Sequence, residues 1–331
     1  MRKRVVVIVS LLCVVVATAH LLPSHALKST DTGLSNAGNG APPLSNPLKV
    51  ALLKWYPANE TSSFPVGHHP YGVAFDGANI WVANQVGSVT KLRASDGSNL
   101  GTFQAGSFPT GVAFDGANVW ISNQFSNNVT KLRASDGKHL GTFAVGNSPG
   151  YLCFDGLAIW VPNAFDNTVT KLRASDGKTL GTFPLTSPPA AAAFDGTSVW
   201  VTQSNGLSGI VSKLRPGDGK ILGNFPVGGK PIGVAFDGVD IWVANNGSGT
   251  VTKLRASDGA NLGTFQAGDP DSLAFDGENI WITGLAVVVI LRPSDGAVLH
   301  QIQTSDSTSG IAFDGANVWV SDFDKDIVYK F

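Results

Sequence analysis

Glutamate is almost missing from this chain of 331 residues: Glu60 and Glu278 are the only two, and every other acid is aspartate. Aspartate favours turns and glutamate favours helices. Charged residues reach only 14%, against 39 glycines, which argues against helical bundles and coiled coils. Cysteine is as scarce. Cys13 lies in an N-terminal apolar run, so export would leave Cys153 with no partner for an internal disulfide. Other copies of the repeat described below carry Ala74 and Ala113 at that position, so Cys153 is expected to be a small buried apolar residue. No excess of positive charge exists to recruit nucleic acid or an anionic membrane, since the formal net charge is −1.

What basic charge there is begins with Arg2, Lys3 and Arg4. An apolar run from Val5 to Ala17 follows, and then the small-residue pattern Ser24-His25-Ala26. That order predicts a secretory signal peptide over 1–26, with an uncleaved anchor as the alternative. Leu12 stands before Cys13 where a lipoprotein site wants a small residue, so lipidation is not expected. Cleavage would leave 20 basic against 24 acidic residues, a net charge of −4. Residues 27–48 are rich in Ser, Gly, Asn and Pro and predict a flexible linker to a folded body over 49–331. The expected location is secreted or periplasmic, with no membrane insertion after cleavage.

The body repeats itself. The tripeptide FDG begins at Phe75, Phe114, Phe154, Phe194, Phe236, Phe275 and Phe313, at intervals of 39, 40, 40, 42, 39 and 38 residues. A period near forty without helical patterning signals a propeller or solenoid of strands. Each copy parses into four strands, typified by "YGVAF", "NIWVAN", "SVTKLR" and "LGTFQAG", with Asp-Gly turns after the first and third. The expected fold is therefore an all-β, seven-bladed β-propeller with four antiparallel strands per blade.

Ring closure needs a fourth strand for the last copy, which stops at Phe331 after "IVYKF". Ser62 to Gly77 keeps the spacing of Gly101 to Gly116, so Thr61 to Val66 is expected to pair with the last copy and leave no long open edge. Residues 50–54 also align with a third strand, so they compete with 327–331 for one place.

One tryptophan per copy (Trp81, Trp120, Trp160, Trp200, Trp242, Trp281 and Trp319) and the FDG phenylalanines predict packing between neighbours, each ring contributing about 2–3 kcal/mol. The third-strand arginines (Arg93, Arg133, Arg173, Arg215, Arg255 and Arg292) each precede an aspartate of their own turn, with lysines two residues earlier in the first five. Charge-paired scaffolding is expected of this ladder rather than a polyanion site, at roughly 0–1 kcal/mol per surface pair.

Positions that hold in every copy serve the blade; positions that drift are free to serve something else. The FDG and Ser-Asp-Gly turns share one face and hardly vary. The second-to-third and fourth-to-first connections share the opposite face and vary strongly, so a site is expected there, at the mouth of the central channel. Two features of that face stand out. The second strands end in Asn84, Asn123, Asn163, Gln203, Asn245, Gly284 and Asp322, a set able to bind a polar ligand or cation, or to make local turns. His68, His69, Asp269, Asp271, Asp306, Asp322, Asp324 and Asp326 gather around the closure. These suit a divalent metal or acid–base chemistry, with a solvated acidic rim as the alternative. The catalytic candidates are His68, His69, Asp271 and Asp322, and the metal candidates Asp322, Asp324 and Asp271, for Mg²⁺ or Ca²⁺. The binding candidates are Asn84, Asn123, Phe125, Asn163, Phe165, Gln203 and Asn245.

The strand-turn-"IWVAN"-turn-"VTKLR" rhythm resembles the extracytoplasmic propellers grouped with NHL and YVTN repeats and with streptogramin lyases, over Val50 to Phe331. For streptogramin lyases the resemblance implies magnesium, a histidine base and a nearby glutamate. This chain departs from that pattern: His139 and His300 lie on fourth strands, and Glu278 sits in a turn of the invariant face. Gluconolactonase-type propellers, with calcium held by Glu, Asn and Asp, fit no better, because no Glu is placed for it. Two functions compete: a non-catalytic scaffold binding a protein or small polar ligand through its variable face, expected as a monomer, and a metal-dependent lyase or lactonase-like hydrolase at the channel mouth.

Overall fold

The computed structural model describes residues 61–206 and 208–331, without the side chains of 305 and 306. The expected signal peptide, the linker and the competing strand 50–54 lie outside the described residues. What is described is a β-propeller, with one 3-10 turn, Asn246–Ser248, among its strands. Five repeats each form a separate four-stranded antiparallel sheet in simple sequence order. The first is Pro70–Phe75, Asn79–Asn84, Ser88–Arg93 and Asn99–Gln104. First strands are buried, whereas fourth strands alternate exposed and half-buried residues, so the core lies toward the axis.

Each FDG aspartate holds its turn and its tryptophan together. In the second repeat, Asp115 Oδ1 accepts the backbone N–H groups of Ala117 and Asn118 at 2.9 and 2.7 Å, and Oδ2 accepts the Trp120 indole N–H at 2.8 Å. The same aspartate-to-indole bond recurs at all seven repeat tryptophans among the described residues. The motif therefore forms the hairpin and satisfies the only polar atom of a buried ring.

Neighbouring sheets are joined by a repeated seam. Lys131 Nζ crosses to the carbonyls of Ala174 and Ser175 in the next repeat, at 2.6 and 3.3 Å, and lies 4.8 Å from the Trp120 ring. A register shift falls beside it, between Lys131 and Leu132, and β-bulges of this kind re-aim a side chain. A phenylalanine of the fourth strand, such as Phe103, packs on its own repeat's tryptophan and on the Ser-Asp-Gly glycine of the next repeat. That glycine, Gly137, is required twice over: its φ is 73°, and a Cβ would collide with the Phe103 ring.

Closure reuses the same parts. Ser62–Pro65 pairs antiparallel with Ile327–Lys330, as expected, with Phe64 opposite Val328. Phe64 lies 5.4 Å from Trp319 and against Gly97, and Lys330 donates to the carbonyls of Ala94 and Ser95. The third-strand place among the described residues is thus held by 327–330. First strands also approach one another around the axis, the last reaching the first: a Cβ on Gly310 would strike the Tyr71 carbonyl.

Repeats six and seven keep their four strand positions but run together in one sheet of six continuous strands. Two long strands, Ile280–Leu291 and Val298–Phe313, each run through two of the expected strand positions. The cause is missing punctuation. Gly284 replaces the turn-forming Asn, and Thr308 stands where the other repeats begin with a proline that interrupts pairing. This seam also lacks the lysine: Ile290 takes its place, and Phe331 packs 6.0 Å from Trp281.

Candidate functional site at the channel mouth

The variable face is built from two kinds of connection that grip each other. The carbonyl of the residue before the first strand accepts the backbone N–H of the residue after the second: Gln85 N–H to His69 O, Gln124 N–H to Phe108 O, Ala164 N–H to Ser148 O and Asn246 N–H to Lys230 O, at 2.9–3.1 Å. These four acceptors carry φ between 48° and 58°, left-handed conformations that non-glycine residues take only where surroundings enforce them. Rigid loops therefore frame the mouth.

The strand-end amides lie inside that frame rather than on it. Asn84, Asn123, Asn163, Gln203 and Asn245 are all fully buried. Asn84 Nδ2 donates to Ser88 and Thr90 at 3.1 and 3.0 Å, Asn163 to Thr168 and Thr170, and Asn245 to Thr250 and Thr252. Asn123 donates to Asn128 and Thr130 and accepts from Gly106 N–H at 2.9 Å. Gln203 donates to Ser212 and accepts from Thr186 and Ser187. Each amide ties the turn of its own sheet, and the set does not open to the channel as a ring of ligands. The physical reason is length: a strand-end Asn reaches its own third strand, whose Thr hydroxyls offer partners.

Asp322 shares that fate in the seventh repeat. It is fully buried, accepting Lys325 N–H and the Tyr329 hydroxyl, each at 3.1 Å. Asp324 is exposed at the tip of the same turn, and Ser307 N–H approaches it at 3.4 Å. His68 Nδ1 meets Asp326 at 2.6 Å, and His69 donates its backbone N–H to the same carboxylate at 2.8 Å. Burial works to raise the Asp326 pKa, but the bonds from His69 and His68 hold it below the usual carboxylate range. The His69 ring stacks on Phe323 at 4.7 Å. Among the described residues, no three His, Cys, Asp or Glu side chains converge as metal ligands. Asp322, Asp324 and Asp271 therefore do not fit a shared Mg²⁺ or Ca²⁺ site; Asp306 lies outside the described side chains.

What converges instead comes from the second and third positions of the first strands, where the repeat runs Tyr71-Gly72, Thr110-Gly111, Gly150-Tyr151, Ala190-Ala191, Ile232-Gly233 and Asp271-Ser272. Tyr71 and Tyr151 stack at 5.6 Å and 8° across the channel. Two adjoining cavities, of about 470 and 270 Å³, share Tyr71, Lys230, Ile232 and Asp271, and Tyr151 lines the smaller. Burial pushes the Asp271 carboxyl up to about 6, partly offset by the charge of Lys230. The charge of Asp271, followed by burial, raises the Tyr71 pKa; burial foremost raises that of Tyr151. The Tyr151 hydroxyl is buried with no hydrogen-bond partner. Tyr71 and Tyr151 are absent from the sequence-derived candidates, although Tyr151 is visible as the one bulky residue at a position held elsewhere by Gly, Ala or Ser.

Outside the mouth, Phe125 and Phe165 stand 67% and 83% exposed on consecutive turns, with Phe108 stacked on Phe125 at 4.3 Å. Cys153 is buried and free, as expected, and burial raises its thiol pKa. No helix among the described residues is long and apolar enough to cross a membrane.

Neither a protein-family model nor a curated protein matches the sequence. Solved structures do match. A streptogramin B lyase aligns at TM-score 0.69 with 17% identity, over 81% of this chain and 96% of that one. A hydrazine synthase chain from Kuenenia stuttgartiensis gives 0.68 and 16%, over 81% and 94%. Virginiamycin B lyase from Staphylococcus aureus gives 0.66 and 18%, over 81% and 97%. At 16–18% identity it is the fold that is shared: the chain is a β-propeller repeat protein whose structural neighbours include streptogramin B and virginiamycin B lyases.

Proposed function

We propose that this chain is a non-catalytic binding propeller that takes a small polar ligand at the channel mouth of its variable face. One observation carries this: the departures from an otherwise uniform repeat, Tyr71, Tyr151 and Asp271, meet at one cavity and leave a buried hydroxyl unpartnered there. Loops on a rigid scaffold are where binding residues concentrate. The basic-then-apolar start of the sequence supports action outside the cytoplasm, in a secreted or periplasmic setting. The test is a ligand screen by thermal shift on wild type and on a Tyr151→Phe/Asp271→Asn double variant. Ligands that stabilise the first and not the second support binding at the mouth; absence of any such difference removes it.

A protein partner is favoured by a separate observation, the exposed Phe125 and Phe165. A metal-dependent lyase or hydrolase rests on likeness of fold, and folds host unrelated activities. That function requires Mg²⁺ or Ca²⁺ to raise the melting temperature, and a His68→Ala/Asp322→Ala double variant to lose the rise.

A further inference from the structure

We propose that the channel mouth recognises a primary ammonium group, held by Asp271, Tyr71 and Tyr151. This rests on the binding function proposed above and supplies the chemistry of its ligand. Tyr151 is 6% exposed, lines the smaller cavity, and has no hydrogen-bond partner for its hydroxyl among the described residues. The side chains of Tyr71 and Ser272 act on this hydroxyl from nearby, and because buried polar groups are almost always satisfied, an orphan beside a cavity wall leaves a place for a partner supplied from outside. Asp271 lines the same cavity, and burial and the charge of Lys230 act on its carboxylate, with no hydrogen bond to it among the described residues. Its charge acts in turn on both Tyr71 and Tyr151, so the three groups share one negative field.

The inventory of that field selects the ligand. An ammonium offers three N–H donors and no acceptor, and a carboxylate with two phenol oxygens offers four acceptor oxygens to receive them. The tyrosine faces, stacked at 5.6 Å, add the quadrupole attraction that aromatic rings give to cations. An anion would meet Asp271. A hard divalent cation wants six or more oxygens, and no three acidic, His or Cys side chains converge on the mouth among the described residues. Lys230 is the one cation nearby; it is exposed, and its ammonium is bonded to Asn246 Oδ1 at 3.2 Å. The 270 Å³ cavity equals about nine water volumes at ~30 Å³ each, room for a short amine and its stem.

Such an ammonium exists both on free amines and on lysine side chains, so the experiment uses both. Isothermal titration of the full chain with n-butylammonium, the neutral alcohol 1-pentanol and Nα-acetyl-lysine amide is compared across wild type, Asp271→Asn, Tyr151→Phe and Asp324→Asn. The expected result is binding of both amines, at least about tenfold tighter than pentanol. Asp271→Asn should abolish it, Tyr151→Phe should weaken it about five- to tenfold, and Asp324→Asn, at an exposed turn tip, should leave it unchanged. Tighter binding of butylammonium assigns the site to free amines, tighter binding of the lysine amide to a lysine-bearing partner, and either supports the ammonium chemistry. Equal binding of pentanol, retention in Asp271→Asn, or equal loss in Asp324→Asn overturns it. Thermal melts confirm that each variant is folded. If neither amine binds while another screened ligand does so in a Tyr151-dependent way, the ammonium proposal fails and the binding function stands. If nothing distinguishes the mouth variants from wild type, both fail.

Discussion

The two faces of the ring are built from the same forty-residue unit and have been put to opposite uses. On the invariant face, the FDG aspartates and their tryptophans have a repeated geometric duty, and the aspartate-to-indole bond is made seven times within 2.6–2.8 Å. On the variable face the backbone frame repeats, but the side chains at the mouth do not, and there polar groups are left unpaired. Variation at the mouth, rather than unpaired polar atoms alone, separates site from scaffold, because the buried Oδ1 atoms of Asn84, Asn163 and Asn245 also lack partners among the described residues.

The largest effect should come from breaking the invariant face. Trp120→Ala removes a fully buried ring that also receives Lys131 and Phe143, and should destabilise by about 3–5 kcal/mol in denaturant unfolding. Lys131→Met should cost about 1–3 kcal/mol, because the carbonyls of Ala174 and Ser175 lose their charged donor. Replacing Ile290 by lysine tests the equivalent position at the junction of repeats six and seven. Repeat six has no lysine there and has merged with repeat seven, so no comparable gain is expected.

Much of the scaffold was legible because it is written several times. FDG and Ser-Asp-Gly spacing located the hairpins, and the alignment of Ser62–Gly77 with Gly101–Gly116 located the closing strand. Arg133 and its equivalents pair with their own turn aspartates, as expected: Arg133 to Asp136 at 3.1 Å. The lysines were less legible, since a contact some 43 residues away has no local signature. The mouth was least legible. Asn84 and Asp322 looked like rim ligands because both end a second strand, and only coordinates show that their side chains fold back into their own sheet. Tyr151 hid behind a swap of two letters, Gly-Tyr for Tyr-Gly, which moves a large side chain into a place usually kept empty.

On the variable face, Asp271→Asn should increase stability rather than reduce it. The folded pKa of about 6 lies above the ordinary 3.8, so the folded state holds its proton more tightly than the unfolded state. Ionisation therefore opposes folding in full above pH 6, and the penalty fades as pH falls toward 4. The asparagine variant, with nothing to ionise, should be more stable than wild type by about 1–3 kcal/mol at pH 7–8 and no different near pH 4. Urea unfolding at the two pH values measures this. A variant less stable at pH 8 would show that Asp271 has a partner in solution and belongs with the scaffold.

The smallest effect on stability is expected where exposure is greatest. Phe125 and Phe165 project 67% and 83% into solvent, so a Phe125→Ser/Phe165→Ser double variant removes little buried area. Phe125 does stack on Phe108, and the loss of that contact sets the upper limit. Surface changes of this kind stay within about 0.5 kcal/mol per site, and the melting curve should hardly move. The same variant should keep full affinity for a ligand in the cavity lined by Tyr71 and Tyr151, because neither phenylalanine lines either mouth cavity. It should lose affinity only for a partner large enough to span consecutive turns. Unchanged stability with unchanged binding of every ligand would confine the function to the channel. Loss of protein binding alone would show that the variable face carries two separable surfaces, a polar mouth and an aromatic crest, on one frame.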